Sequence, residues 1–248
     1  KSRLYNEGKI RKLEKLPPVE PDEVPFEVPE GWVWARFGEV AIIATNSVQP
    51  DAYRNLPHVA PDNIEKGTGR LLAYRTVSED GVRSVKHRFF PGQILYSKIR
   101  PNLSKAVLVD FEGLCSADMY PIDSYISSRY LLDYILSAPF VAMVTRHDTR
   151  VAMPKVNQDV LVSIPVPVPP LPEQCKIAAI LTSVDDAIAA TQRIIDQTER
   201  VKRGLMQQLL TKGIGHTKFK QTEIGEIPEE WEVKRIGEIC NTISGSTP

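Results

Sequence analysis

Net charge is what this chain lacks most plainly. Its 31 lysines and arginines cancel its 31 aspartates and glutamates over 248 residues. That removes any whole-chain electrostatic case for nucleic acid and confines the case to local clusters. No apolar run approaches the ~18 residues of a membrane span, and no secretory leader is visible. Cysteine is scarce. Cys115, Cys175 and Cys240 are scattered, form no metal-type pair and point to a reducing, cytoplasmic setting. The histidines are dispersed, so neither a metal nor a cofactor is expected. No Asn-Pro-Pro-Tyr or Asp-Pro-Pro-Tyr motif offers an adenine-methylating pocket. Gly67-Thr68-Gly69 has no third spaced glycine, and there is no Walker loop. Glu232-Val233-Lys234 matches half of a nuclease site by accident. Cys115 with His87 or His147 is a thiol nucleophile by residue type alone.

What is present begins with a proline track, Ile164-Pro165-Val166-Pro167-Val168-Pro169-Pro170-Leu171-Pro172. Proline fixes φ and has no backbone donor, so the track is expected to be extended or polyproline-like. Pro172 and Glu173 suit a helix start. Apolar residues then recur at steps of three and four through Ile177, Leu181, Val184, Ile188, Ile195, Val201, Leu205 and Leu209. The spacing predicts one helix from about Glu173 to Thr211, roughly 58 Å long at ~1.5 Å per residue. Gly213 and Gly215 stand ready to cap it. So long a stripe needs a second long helix, and these eight residues are the expected pairing seam. A domain-core helix is the alternative.

Residues 1–26 run from basic to proline-rich and acidic and read as a linker or a frayed helix end. From Glu27 the chain reads Glu-Val-Pro-Glu-Gly-Trp-Val-Trp-Ala-Arg-Phe-Gly-Glu-Val. From Glu226 it reads Glu-Ile-Pro-Glu-Glu-Trp-Glu-Val-Lys-Arg-Ile-Gly-Glu-Ile, aligned without a gap. A duplicated unit of about two hundred residues is the natural meaning, with the second copy hardly begun. The body of the first copy suggests strands at Val40 to Ala44, Gln93 to Ile99 and Ala106 to Val109. A helix capped by Ser127 or Ser128 should turn Tyr130, Leu131, Tyr134, Ile135 and Leu136 inward and end or kink at Pro139. The expected fold class is α+β: one mixed α/β domain at 27–168, a long helix at 169–213, then a linker and the start of a second domain at 214–248.

Gly81 to Val109 carries Arg83, Lys86, Arg88, Lys98, Arg100 and Lys105 with His87 and no acidic residue, and Phe89, Phe90 and Tyr96 interleave. Such a stretch can grip phosphates and reach base edges, guanine above all through arginine. A strand face balanced by acids from elsewhere in the fold is the other reading. Arg146 and Arg150, with Lys155, Asn157 and Gln158, form a second cluster of the same kind.

These motifs resemble the specificity subunit of type I restriction–modification systems. The likeness rests on the Pro-Glu-x-Trp openers at Pro29 and Pro228, on Gly92-Gln93-Ile94-Leu95-Tyr96-Ser97-Lys98-Ile99-Arg100-Pro101, on Cys115 to Pro121 with Ala152 to Gln158, and on Pro165 to Gln174 running into the long helix. The resemblance implies two target-recognition domains, each reading half of a split double-stranded DNA site, held apart by antiparallel helices. It implies no catalysis in the subunit itself. It implies docking of modification subunits, which methylate adenine with S-adenosylmethionine, and of a restriction subunit. Residues 27–168 would be the first recognition domain, and the long helix could pair two such chains as a homodimer. Lys98 and Arg100 are plausible DNA-facing positions. Arg70, Arg75, Arg83, Lys86, Arg88, Lys105, Arg146 and Arg150 are the more variable candidates.

Overall fold

A computed structural model describes residues 16–146, 155–241 and 245. The chain forms two compact units, Lys1–Ser183 and Val184–Pro248. The first holds, in order, β1 (Val33–Arg36), α1 (Phe37–Val40), β2 (Ala41–Ile43), β3 (Ser47–Val48), β4 (Pro57–Val59), β5 (Arg75–Thr76) and β6 (Lys86–Phe89). There follow β7 (Ile94–Ser97), β8 (Ala106–Leu108), β9 (Gly113–Cys115), β10 (Met119–Ser124), α2 (Ser128–Leu136), α3 (Ala138–Arg146), α4 (Gln158–Ser163) and β11 (Pro165–Val168). The helix α5 (Leu171–Lys212) starts in this unit.

Two sheets share the body, in the orders β2-β10-β7-β8 and β3-β6-β9-β4-β5. All their ladders are antiparallel except β4 with β9. The four-stranded sheet lies between two cores because side chains alternate across a strand. On β7, Ile94 and Tyr96 join Phe37, Leu131 and Phe140 on one side. Leu95 joins Val59, Phe89 and Cys115 on the other. The same alternation divides β10, with Met119 in the second core and Tyr120 and Ile122 in the first. Three consecutive apolar residues, Ile94, Leu95 and Tyr96, are what a strand covered on both faces requires.

Local chemistry sets the element ends. Ser127 caps α2, its hydroxyl accepting from the Tyr130 amide. Tyr130, Leu131, Tyr134 and Ile135 are buried, and Leu136 packs partly buried against the core. Pro139 falls in the first turn of α3, where its missing N–H costs nothing, so the break comes at Ser137. The strand expected from Val40 starts at Ala41, because Val40 closes the single turn α1, held by the Arg36 amide donating to Glu39 Oε2 at 2.9 Å. The strand expected over Gln93 to Ile99 is trimmed to Ile94–Ser97. At its start the Gln93 side chain is engaged with the Phe90 amide and with Asp123. The strand expected to reach Val109 ends at Leu108.

The proline track is a true strand. β11 pairs antiparallel with β1, Val168 opposite Val33 and Pro165 opposite Arg36. Pro165 and Pro167 sit where the backbone faces away from β1, so no ladder donor is lost. Their carbonyls instead accept from the hydroxyls of Tyr134 (2.8 Å) and Tyr130 (2.7 Å).

α5 starts at Leu171, two residues before the expected point. Its first turns pack on the first unit. Gln174 is buried, with Oε1 accepting from the Ser127 amide and Nε2 donating to the Pro169 carbonyl. The Trp32 indole donates to Glu173 Oε2 at 3.1 Å. At the far end Gly213 adopts φ +63 and its amide donates to the Leu209 carbonyl, the glycine cap the sequence suggests. The second unit adds the hairpin β12 (Phe219–Thr222) and β13 (Gly225–Pro228), then the single turn α6 (Ile236–Ile239). Trp231 packs edge-on to His216 at 6.0 Å, beside Gly213. Among the described residues no helix is long and apolar enough to cross a membrane.

Candidate nucleic-acid interface

The basic residues of the first unit divide by what holds them. Lys86 is buried, and its ammonium donates to the Ser84 hydroxyl (2.6 Å) and carbonyl (3.2 Å). Arg88 is half-buried. Its Nε (2.6 Å) and Nη2 (2.5 Å) clasp Glu112, and its guanidinium lies 5.0 Å from the ring centres of both Tyr53 and Phe90. Lys105 donates to the Pro61 carbonyl at 2.7 Å, with Asp62 at 3.9 Å. Arg70 is exposed, 3.6 Å from Glu65. Lys86, Arg88 and Lys105 are thus engaged inside the fold, whereas Arg70 meets Glu65 at the surface.

Arg75, Arg83, Arg100 and Arg146 are exposed and form no ion pair with another described residue. Arg150 lies outside the described residues. Lys98 is half-buried, with its ammonium 5.2 Å from the ring centre of Tyr120.

The segment from Lys98 to Lys105 is the most firmly built part of this surface. Arg100 (φ 49) and Ser104 (φ 46) are both left-handed, and they bracket the single turn Pro101–Leu103. Side chains other than glycine resist that region by ~1–2 kcal/mol each. The surroundings hold it there. The Ser97 amide donates to the Lys105 carbonyl and the Lys98 amide to the Asp118 carbonyl. The Lys98 carbonyl accepts from Val156, and the Ser104 carbonyl from Gly67. Arg100 and Asn102 thus leave the surface from a fixed backbone. Strain persisting in an over-determined loop is a mark of functional sites.

A second feature is a cleft of about 470 Å³ lined by Asp51, Tyr53, Arg54, Asn55, Arg88 and Glu112. Arg88 fixes Tyr53 here, while Arg54 and Asn55 remain exposed. Neither residue was a candidate from sequence, since Pro50–Tyr53 and its sequel carry no basic run to mark them.

Cys115 does stand opposite His87, across the β6–β9 ladder. Burial pushes its thiol up to about 12, so at neutral pH it is a core thiol, not a thiolate nucleophile. Among the described residues no cluster of His, Cys, Asp and Glu could hold a metal ion.

Comparison with known proteins gives the chain a family and a fold. Residues 29–200 match the family model described as "Type I restriction modification DNA specificity domain". The type I restriction enzyme EcoDI specificity subunit of Escherichia coli is 39% identical over 207 residues, covering 84% of this chain and 45% of that protein. The EcoEI specificity subunit of the same organism is 26% identical over 254 residues, covering 98% of this chain and 40% of that protein. The chain therefore spans less than half the length of either relative. The crystal structure of the HsdS subunit from Thermoanaerobacter tengcongensis has the same fold, with a TM-score of 0.59 at 22% identity over 91% of this chain and 59% of that one. The family model covers well over half of the sequence, and the chain belongs to the type I restriction modification DNA specificity domain family.

Proposed function

We propose that this chain is the DNA-sequence-recognition part of a type I restriction–modification specificity subunit. It reads one half of a split site in double-stranded DNA and carries out no chemistry itself. The observation that supports this most is the locked Lys98–Lys105 segment, with Arg100 and Asn102 held outward at two left-handed residues. Arg75, Arg83 and Arg146 add exposed cations without carboxylate partners among the described residues. On this reading 27–168 is the recognition domain, 169–213 the spacer and 214–248 the opening of a second domain. Residues 1–26 are a lead-in. Modification and restriction subunits dock around the spacer, and S-adenosylmethionine binds to them. The test is DNA binding by the assembled complex carrying single alanine substitutions at Arg75, Arg83, Arg100 and Arg146. Base-reading positions should relax specificity by ~1–3 kcal/mol, and phosphate contacts should weaken every sequence alike. Unchanged affinity and specificity in all four would overturn the assignment.

A second reading, an assembly scaffold, is favoured by one observation. Leu181, Val184, Ile188, Ile195, Val201, Leu205 and Leu209 on α5 are each at least 42% exposed, an apolar stripe without a cover among the described residues. Pairing with a second long helix, from the same subunit or from another copy, would bury it. Light scattering separates the cases. A dimer reduced to monomer by Val184→Asp makes the stripe a homodimer seam. A monomer in both leaves the seam to the longer subunit.

A further inference from the structure

Asn55 lines the cleft between Asp51 and Glu112, and the fold makes no use of its side chain. Asparagine usually serves structure in one of two ways: it tolerates left-handed backbone, or it bonds a backbone group close by in the chain. Asn55 does neither. Its φ is not positive, and its amide bonds no other described residue. It is nevertheless held in place and exposed.

The backbone around it is tied on both sides. The Leu56 amide donates to the Tyr53 carbonyl at 3.0 Å. From the turn after β5, the Ser78 amide reaches the Arg54 carbonyl and the Val77 amide the Leu56 carbonyl, each at 2.9 Å. Beneath, the Arg88 guanidinium lies 5.0 Å from the Tyr53 ring centre, with Nη1 3.5 Å from its hydroxyl. Glu112 clasps Arg88 in turn, at 2.6 Å.

The charges of the cleft are already matched. Arg54 meets Asp51 at 2.9 Å, and Arg88 meets Glu112. In the neighbouring turn Glu79 accepts from the Thr76 amide and hydroxyl, and Asp80 is bonded to His58. A phosphate therefore finds no unpaired cation in the cleft itself. A base edge, which is neutral, needs none. The adenine edge in the major groove offers one acceptor, N7, and one donor, N6, and a single asparagine amide matches both. Arg75, on the strand beside β4 and opposite His58, is exposed and outside any ion pair with a described residue, so a cation for the DNA backbone stands on the adjoining strand.

We infer that Asn55 is a specificity-determining residue that reads an adenine in the major groove, and that Arg88 is its positioning residue, acting through Tyr53. Oδ1 accepts from adenine N6 and Nδ2 donates to N7. Arg88 and Glu112 touch no base. They fix the ring of Tyr53, two residues before Asn55, and so the angle at which the amide leaves the turn.

This inference rests on the DNA-recognition reading, and the test keeps the two apart. The target site of the assembled complex is mapped from the adenines it methylates. Duplexes carrying each single-base change are then ranked by affinity. Asn55→Ala should cut discrimination at one A·T position of the half-site by about ten- to a hundredfold and leave the other positions as they were. The urea midpoint should not move, because the side chain is exposed and unbonded. Asn55→Asp should turn the same position toward cytosine, whose N4 donates to a carboxylate. Arg88→Lys should relax that position and no other. An Arg88→Lys variant that weakens every sequence alike overturns the positioning role. Discrimination that Asn55→Ala leaves unchanged everywhere, or lowers evenly at all positions, overturns the inference and leaves recognition standing. No sequence preference in the unaltered complex overturns both.

Discussion

Arg100 is a residue whose backbone and side chain pull in opposite directions. At φ 49 the chain wants glycine, yet an arginine stands there, exposed. Arg100→Gly should therefore raise stability by about 1 kcal/mol, the left-handed penalty less the entropy glycine adds to the unfolded chain. The same change should weaken binding to all duplexes and lower the salt dependence by about one counterion. Urea titration and salt-dependent anisotropy would read the two effects. A variant that is less stable would mean that the side chain holds the turn. Arg36 is the opposite kind of arginine, only 4% exposed. Its five N–H donors are all satisfied, by the carbonyls of Pro17, Pro18 and Ser163 and by both oxygens of Glu23. Lysine cannot reproduce that fork, so Arg36→Lys should cost ~2–4 kcal/mol in chemical denaturation with DNA contacts unaffected. The Arg36 hydrogen bond also holds the Glu23 carboxyl below its ordinary range. Its stabilisation is therefore present above the unfolded carboxyl value and is lost as pH falls through the folded one. Glu23→Gln should flatten that part of the acid limb in a pH series of thermal melts.

At the scale of elements, the sequence was most legible where one strong period ran long. Alternate steps of three and four brought the helix within two residues at its start and one at its end, against an observed Leu171–Lys212. The Ser127 cap and the Pro139 break were equally local, and so readable. The proline strand was half-readable. Its extended backbone followed from fixed φ, but its partner β1 lies more than a hundred residues away, and nothing local specifies that register. The two tyrosine hydroxyls that complete β11 were likewise invisible, although both tyrosines were expected to face inward. Tyr134→Phe and Tyr130→Phe should each cost ~1–3 kcal/mol, because a buried proline carbonyl loses its donor. Differential melting of the single and double variants would check this, and costs near zero would mean that the strand is held by β1 alone. Burial pushes the Tyr130 hydroxyl up to about 12, so that bond should persist into strongly alkaline solution.

At the scale of the whole molecule, the repeat read from sequence has a counterpart in backbone structure. Trp32 and Trp231 each donate their amide to the proline three residues earlier. Arg36 and Arg235 each precede a single helical turn, their amides donating to Glu39 and Glu238. The surroundings of the two copies differ. Phe37 is fully buried, whereas Ile236 is 71% exposed. Local sequence writes the turn, and burial comes from the domain around it. The candidate interface followed the same rule. A run of cations was visible in the sequence, but which of them are spoken for was not, because Glu112 and Pro61 reach Arg88 and Lys105 through the folded topology.

The proline strand has a further consequence. An outer strand normally offers a row of donors and acceptors on which a stray chain can template itself. On β11 the donors at Pro165 and Pro167 do not exist, and their acceptors are already filled by tyrosine hydroxyls. That edge cannot recruit a foreign strand, so copies of this chain crowded together are denied sheet extension there.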